Sequence, residues 1–158
     1  MTRRPAVAAA ALFLMWGGAA AACPDVTAYG DTYDLSGKML YAGQQFPVRA
    51  GGDQSIGACG IVPQTDKGQG FVISAPDFSM QLTGMAPYQL VISVLSDCDS
   101  VLLINTASQN WFYDDDDNGN LDARITLTRP ADGWLDIWVG TNDGAYCDAV
   151  LSLETFDR

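Results

Sequence analysis

Short runs of branched and aromatic residues, separated by turn signals, dominate the chain beyond residue 44. Clusters of glycine, proline, asparagine and aspartate punctuate these runs, as is typical of successive β-strands. No helical period of any length competes with them. The pattern predicts an all-β domain, a sandwich or a barrel of about eight or nine strands. The predicted strands are 45–50, 70–74, 78–82, 88–96, 100–106, 111–113, 123–128, 134–141 and 149–156.

Alternation along the segment 134–139 divides its side chains between two faces. The apolar face carries Leu135, Ile137 and Val139. The polar face carries Trp134, Asp136 and Trp138. Two tryptophans flanking an aspartate could form a flat platform for sugar rings. In the alternative, both indoles pack under a loop or under the N-terminal part of the chain, because large aromatic side chains are usually well buried.

The first 22 residues have the pattern of a secretory signal peptide. Arg3 and Arg4 precede an apolar segment, 6–16, that is too short to span a bilayer, and Ala20-Ala21-Ala22 gives an A-x-A cleavage pattern before Cys23. We therefore expect one β-sandwich domain over 23–158, with 23–44 as a less regular extension, in a periplasmic or extracellular protein. A lipoprotein acylated at Cys23 is the alternative. No later stretch is long and apolar enough to cross a membrane.

An even number of cysteines in an exported chain indicates disulfides. The cysteines are Cys23, Cys59, Cys98 and Cys147. Their spacing is too wide for a zinc site, and the chain contains no histidine. Among the three possible connectivities we expect Cys23–Cys59 and Cys98–Cys147, the second joining the turn after one strand to the start of the last strand.

The net charge argues against several classes of partner, and the absence of histidine argues against several classes of enzyme. The formal net charge is −11, so nucleic acid and anionic lipid are unfavourable partners. Without histidine, the chain has no Ser-His-Asp or Cys-His nucleophile and no HExxH zinc site. A carboxylate pair of the glycosidase type remains as a remote enzymatic alternative. Its weakness is that Glu154, the one glutamate, falls on the polar face of a terminal strand.

An acidic run, residues 114–122, stands between two predicted strands. Arg124 is the nearest cation along the chain. Clustered carboxylates and carboxamides are the oxygen ligands that Ca²⁺ prefers, and we therefore predict one weakly bound Ca²⁺. The alternative is a hydrated turn whose Asp, Asn and Gly serve tight backbone angles. The candidate ligands are Asp114, Asp115, Asp116, Asp117, Asn118, Asn120 and Asp122.

A calcium switch of the EF-hand type is not expected from this run. Asp114, Asp116, Asn118 and Gly119 fit the first half of that motif, but Ile125 stands where its bidentate glutamate would be. Predicted strands also replace the flanking helices.

The order of motifs in the second half of the chain resembles the bacterial pre-peptidase C-terminal domains. Cys98 and Asp99 precede an apolar strand, and the acidic turn then leads to Ala123-Arg124-Ile125. Pro130-Ala131-Asp132-Gly133-Trp134 opens the next strand, and a last strand follows Gly144. The resemblance covers about residues 88–156. Trp134-Leu135 departs from the small-then-tyrosine pair of that family, and Cys98 and Cys147 are additions.

This resemblance implies a jelly-roll-like antiparallel β-sandwich that is exported, non-catalytic and sometimes loaded with calcium. It would place the paired aspartates of the family turn at Asp115 and Asp116. The function expected from the sequence is an accessory or binding module with a protein or polysaccharide partner. A carbohydrate-binding module that uses Trp134 and Trp138 is the alternative, and peptidase-related or glycosidase activity is a remote one.

Overall fold

Two β-sheets make up most of the chain that the computed structural model describes, residues 23–158. The signal peptide expected over 1–22 lies outside these residues. One four-residue helix, α1, spans Gly37–Leu40, and a 3-10 turn spans Ile56–Ala58. The strands are β1 (Asp31–Ser36), β2 (Gln44–Ala50), β3 (Gln54–Ser55), β4 (Phe71–Val72), β5 (Phe78–Thr83), β6 (Tyr88–Ser96), β7 (Ser100–Asn105), β8 (Trp111–Asp114), β9 (Arg124–Leu127), β10 (Gly133–Thr141) and β11 (Cys147–Asp157).

The larger sheet has seven strands arranged around β10. One edge of β10 pairs with β7, which pairs in turn with β8. The other edge pairs with β5 and then, at Thr141, with the short β4. β1 continues this sheet beyond β5, and β3 continues it beyond β4. The smaller sheet has four strands in the order β2-β11-β6-β9.

The main core lies between the two sheets and follows the alternation read from the sequence. Leu135, Ile137 and Val139 of β10 are all buried in it. Alternation leaves one face of each strand to water or to loops, so one row of apolar side chains per strand is enough to build this layer. The β-sandwich prediction is confirmed. The smaller sheet contributes Phe46, Leu90, Ile92, Val94, Ile125, Leu127, Leu151 and Leu153 to the same cluster.

A second apolar cluster covers part of the outer face of the seven-stranded sheet. The segment between β3 and β5, residues 56–77, is called the cover segment. Its residues Ile61 and Ile73 pack against this cluster. This segment therefore acts as a cover for the end of the sheet at which β7 begins. The buried members are Ile56, Val72, Val101, Leu103, Tyr113 and Trp138.

The N-terminal segment is more ordered than the sequence indicated. β1 pairs in parallel with β5 over six residues, from Asp31 opposite Phe78 to Ser36 opposite Thr83. The Ser36 hydroxyl caps α1 by accepting a hydrogen bond from the Met39 N–H at 3.2 Å. Residues 31–40 thus form an edge strand and a helical turn, which corrects the expectation of a less regular extension for that part of 23–44, while residues 23–30 contain no strand or helix.

Both disulfides have the predicted connectivity. Cys23 and Cys59, with Cα atoms 5.6 Å apart, fix the start of the N-terminal segment beside the 3-10 turn. Cys98 and Cys147, with Cα atoms 6.5 Å apart, join the turn after β6 to the start of β11. Two bridges are typical of a protein in an oxidising compartment, periplasmic or extracellular. Within residues 23–158 no helix is both long enough and apolar enough to span a bilayer.

Candidate functional site

The acidic run forms a tight turn between β8 and β9 that is organised by Asp114. Asp114 is only 3% exposed, and its Oδ2 accepts hydrogen bonds from the Asp117 N–H at 3.1 Å and the Arg124 N–H at 2.7 Å. One carboxylate oxygen therefore links the end of β8 to the turn and to the first residue of β9. Its Oδ1 receives no hydrogen bond from the described residues and remains available to a ligand.

Backbone conformation explains why the turn is rich in asparagine and glycine. Gly119, Asn120 and Leu121 have φ values of 77°, 53° and 63°, three successive left-handed residues. Glycine and asparagine adopt this region at least cost. The Asn118 N–H donates to the Asp122 carbonyl at 2.8 Å, and the Asn118 amide nitrogen donates to the Val94 carbonyl at 2.6 Å. Asn118 therefore ties the turn to β6.

Asp122 serves the fold through hydrogen bonds to two serines. It is buried, and its Oδ1 accepts hydrogen bonds from the hydroxyls of Ser96 at 2.7 Å and Ser100 at 3.2 Å. The Ser100 hydroxyl in turn accepts from the Ala123 N–H at 3.1 Å. Asp122 thus holds the start of β9 against the turn between β6 and β7.

The remaining candidate ligands are dispersed. Asp115 accepts a hydrogen bond from the Tyr113 hydroxyl at 3.3 Å. Asp116 and Asn120 are exposed, and neither side chain has a hydrogen-bond partner among the described residues. The turn therefore does not gather its seven candidate side chains around one point.

The three carboxylates that do meet are Asp114, Asp117 and Asp66. One oxygen from each lies within 4.8 Å of the other two. We call the hollow they share, which Thr65, Arg124 and Thr126 also line, the acidic pocket. Asp66 is the residue that the sequence did not reveal. It stands alone as an acid between Asp53 and Asp77, so no motif marks it.

Burial and like charge act together on the acidic pocket. Desolvation raises the pKa of Asp114 to about 6, against the opposing hydrogen bonds from the Arg124 and Asp117 amides. The charges of Asp117 and Asp115 add to this rise. Desolvation also raises the pKa of Asp115, and the charge of Asp116 adds to it. A cation bound here would relieve this repulsion.

Trp134 and Trp138 do not form a shared platform around Asp136. Trp138 is fully buried under the cover segment, and its indole N–H donates to the Ser74 carbonyl at 3.2 Å. The centroids of the Trp138 and Trp111 rings lie 5.4 Å apart. Trp134 is 39% exposed and meets the edge of Tyr29 at 5.4 Å. The structure thus corrects the platform hypothesis: one ring packs beneath a loop and the other against the N-terminal segment.

Comparisons with known proteins do not assign this chain to a family. No family model and no curated protein matches this chain. Among solved structures it is similar to PliG of Aeromonas hydrophila, a periplasmic lysozyme inhibitor of g-type lysozyme, with a TM-score of 0.45 and 11% identity. The match covers 80% of this chain and 99% of that one.

Proposed function

We propose that this chain is an exported, non-catalytic binding module whose acidic pocket holds one Ca²⁺ ion. The observation that carries the proposal is the meeting of Asp66, Asp114 and Asp117, whose carboxylate oxygens lie within 4.8 Å of one another. Asp66 belongs to the cover segment, Asp114 ends β8, and Asp117 lies in the turn that follows β8. A bound dication would therefore join two separate parts of the chain.

The donor set suits calcium better than a softer metal. Three carboxylates supply hard oxygen ligands, and neither histidine nor a free thiol is present in residues 23–158. Asp114 would contribute Oδ1, because Oδ2 is already engaged by two backbone N–H groups. Three protein ligands leave several coordination positions to water, so we expect a Kd of roughly 10⁻⁴–10⁻³ M, as in extracellular calcium modules.

Thermal melting of the mature protein tests this site. Millimolar CaCl₂ should raise Tm relative to EGTA at matched ionic strength, and MgCl₂ should raise it less. Asp66→Asn and Asp117→Asn should each abolish the difference. Asp116→Asn is the matched control, since Asp116 is an exposed acid of the same turn that lies outside the pocket. Equal responses to calcium, magnesium and NaCl, or a loss with Asp116→Asn and not with Asp66→Asn, would refute the pocket.

The non-catalytic part of the proposal follows from the residue inventory. The chain has no histidine, and Glu154 is exposed on β11. A glycosidase needs two carboxyl groups separated by roughly 5–9.5 Å across a sugar-sized cleft, whereas the carboxylates of the acidic pocket crowd together. Purified protein should leave casein, synthetic peptides and aryl glycosides uncleaved. Turnover that is lost on replacing one carboxylate, and kept through further purification, would contradict this.

An accessory role beside another exported protein is the finer form of this proposal. It is supported by the resemblance of residues 88–156 to pre-peptidase C-terminal domains, in which the module accompanies a peptidase. The partner would be a protein or a polysaccharide of the envelope or its surroundings. The strongly acidic surface, with a formal net charge of −11, favours basic or neutral surfaces over nucleic acid.

A further inference from the structure

A groove on the outer face of the seven-stranded sheet lies beyond the edge of the cover segment. Its volume of about 570 Å³ is in the range of sites for small ligands. We call it the aromatic groove. The side chains that define it are Trp111, Trp134, Asn105, Asp136 and Gln109.

Strand register brings these side chains together. Asn105 at the end of β7 lies directly opposite Asp136 on β10 and directly opposite Trp111 on β8. Paired residues project to the same face of a sheet, so these three form one row across three strands. Trp134, two residues before Asp136 on β10, projects from the same face. The next row, which contains Trp138, is buried under the cover segment.

Two polar side chains in this row keep unpaired polar atoms that are open to the groove. Asn105 is only 7% exposed, yet its side-chain amide makes no hydrogen bond with any described residue. Asp136 is buried as well; its Oδ1 accepts from the Ser79 hydroxyl at 2.6 Å, and its Oδ2 receives no hydrogen bond from the described residues. No fully buried side-chain nitrogen or oxygen in residues 23–158 lacks a hydrogen-bond partner, so these unpaired atoms reach the surface of the groove. Here both groups line the groove, where a ligand can pair with them.

We propose that the aromatic groove binds a neutral glycan, with one pyranose ring against Trp134 and its hydroxyls paired with Asn105 and Asp136. Aromatic rings receive the apolar face of a sugar, while an amide and a carboxylate together offer donors and acceptors to neighbouring hydroxyls. Trp134 is 39% exposed and makes a T-shaped ring contact with Tyr29. Trp111 and Gln109 line the groove on the side of β8 and of the loop before it.

The charge of the groove selects against charged ligands. No lysine or arginine lines it, so an anionic sugar would find no counter-charge. An arginine side chain prefers a carboxylate with both oxygens free for a bidentate pair, and the hydrogen bond from the Ser79 hydroxyl takes one acceptor position of Asp136 Oδ1. A neutral polyol makes use of the single open oxygen.

Isothermal titration calorimetry on the mature protein tests the proposal with three neutral probes, maltohexaose, cellohexaose and N-acetylchitohexaose. At least one should bind with a Kd of roughly 10⁻⁴ M or tighter. Trp134→Ala should weaken that binding by about tenfold or more, and Trp134→Phe by less, since an aromatic face remains. Asn105→Ala should weaken it roughly threefold to tenfold, the loss of one or two neutral hydrogen bonds.

Tyr146→Ala is the matched control, because Tyr146 is an exposed aromatic residue outside the groove. It should leave binding unchanged. Because Asn105 has no protein partner, Asn105→Ala should keep its Tm, which separates lost binding from lost folding. Three results would overturn the proposal: no saturable heat with any of the three glycans, binding that survives both Trp134→Ala and Asn105→Ala, or Trp134-dependent binding of hexa-arginine alone. The calcium proposal concerns other residues and stands or falls separately.

Discussion

Thr65 and Tyr113 exchange two hydrogen bonds, through which the cover segment completes the free edge of β8. The Tyr113 N–H donates to the Thr65 Oγ1 at 2.9 Å, and the Thr65 hydroxyl donates to the Tyr113 carbonyl. Just before them the Gln64 N–H donates to the Trp111 carbonyl at 2.8 Å. These bonds bring Asp66 to Asp114 across 48 residues of sequence, so the acidic pocket depends on them.

Replacing Thr65 by valine should therefore loosen the cover segment without changing its shape. Valine keeps the branched side chain and removes both hydrogen bonds, so we expect a loss of about 1–3 kcal/mol in the free energy of unfolding. Hydrogen exchange of the Tyr113 amide should accelerate, and the calcium-dependent rise in Tm should shrink. Thr126→Val is the control, because Thr126 lines the same pocket without a side-chain hydrogen bond. Unchanged exchange at Tyr113 would show that the segment docks by other contacts.

Asp122 should behave as a structural residue whether or not calcium is present. Asp122→Ala leaves the buried hydroxyl of Ser100 without its acceptor, while the Ser96 hydroxyl keeps the Cys98 carbonyl, so we expect a loss of about 1–3 kcal/mol. Asp116→Ala, at an exposed position, should change stability by less than about 0.5 kcal/mol. Urea denaturation in EGTA measures both. Similar values for the two variants would contradict the assigned role of Asp122.

Local pattern was enough to find most of the sandwich. Each of the nine predicted strands coincides with an observed strand to within a few residues, because alternation and turn residues are properties of neighbouring positions. β1 was missed for the opposite reason: Asp31, Thr32, Tyr33 and Asp34 are all exposed, and the strand exists because it pairs with β5 some 47 positions along the chain. β3 has two residues and leaves no period to detect.

The sites were less accessible to sequence reasoning because they combine distant segments. Density of charge pointed to the turn after β8, but it could not separate Asp117, which faces the pocket, from Asp122, which faces two serines. Asp66 carries no signal at all. Asn105 gave a weak sequence signal, since a polar residue ends the otherwise apolar run of β7. Its place in the groove becomes visible only when strand register sets it between Asp136 and Trp111.

The bridge between Cys98 and Cys147 should contribute strongly to stability. It closes a loop of 49 residues, for which the loop-entropy model gives about 4 kcal/mol and measured bridges typically give 2–4. The double variant Cys98→Ser/Cys147→Ser should lose about 2–4 kcal/mol in the free energy of unfolding.

The intact mass of the exported protein should show four hydrogens missing, because both disulfides are formed. It should also show no lipid, because Cys23 is bridged to Cys59. Reactive thiols in the native protein would contradict both pairings.

Asp77 should make the fold less stable as the pH rises from about 4 to about 7. Its Oδ2 accepts from the Val139 N–H at 2.7 Å. Desolvation nevertheless raises its pKa from 3.8 to about 7, and the charge of Asp31 adds to this rise. The folded state holds the proton more tightly than the unfolded chain. This stabilisation is complete below pH 3.8 and is lost as the pH passes through about 7.

Asp77→Asn removes that dependence while it keeps an oxygen for the Val139 N–H. The free energy of unfolding of the variant, relative to that of the wild-type protein, should rise by on the order of 2 kcal/mol between pH 5 and pH 8. Asp34→Asn, which removes one exposed carboxylate from the neighbouring β1, is the control and should show a much smaller change over the same interval. Urea denaturation at both pH values gives the two differences. If Asp77→Asn differs from the wild-type protein equally at both, the carboxyl is ionised throughout, and burial does not govern its protonation.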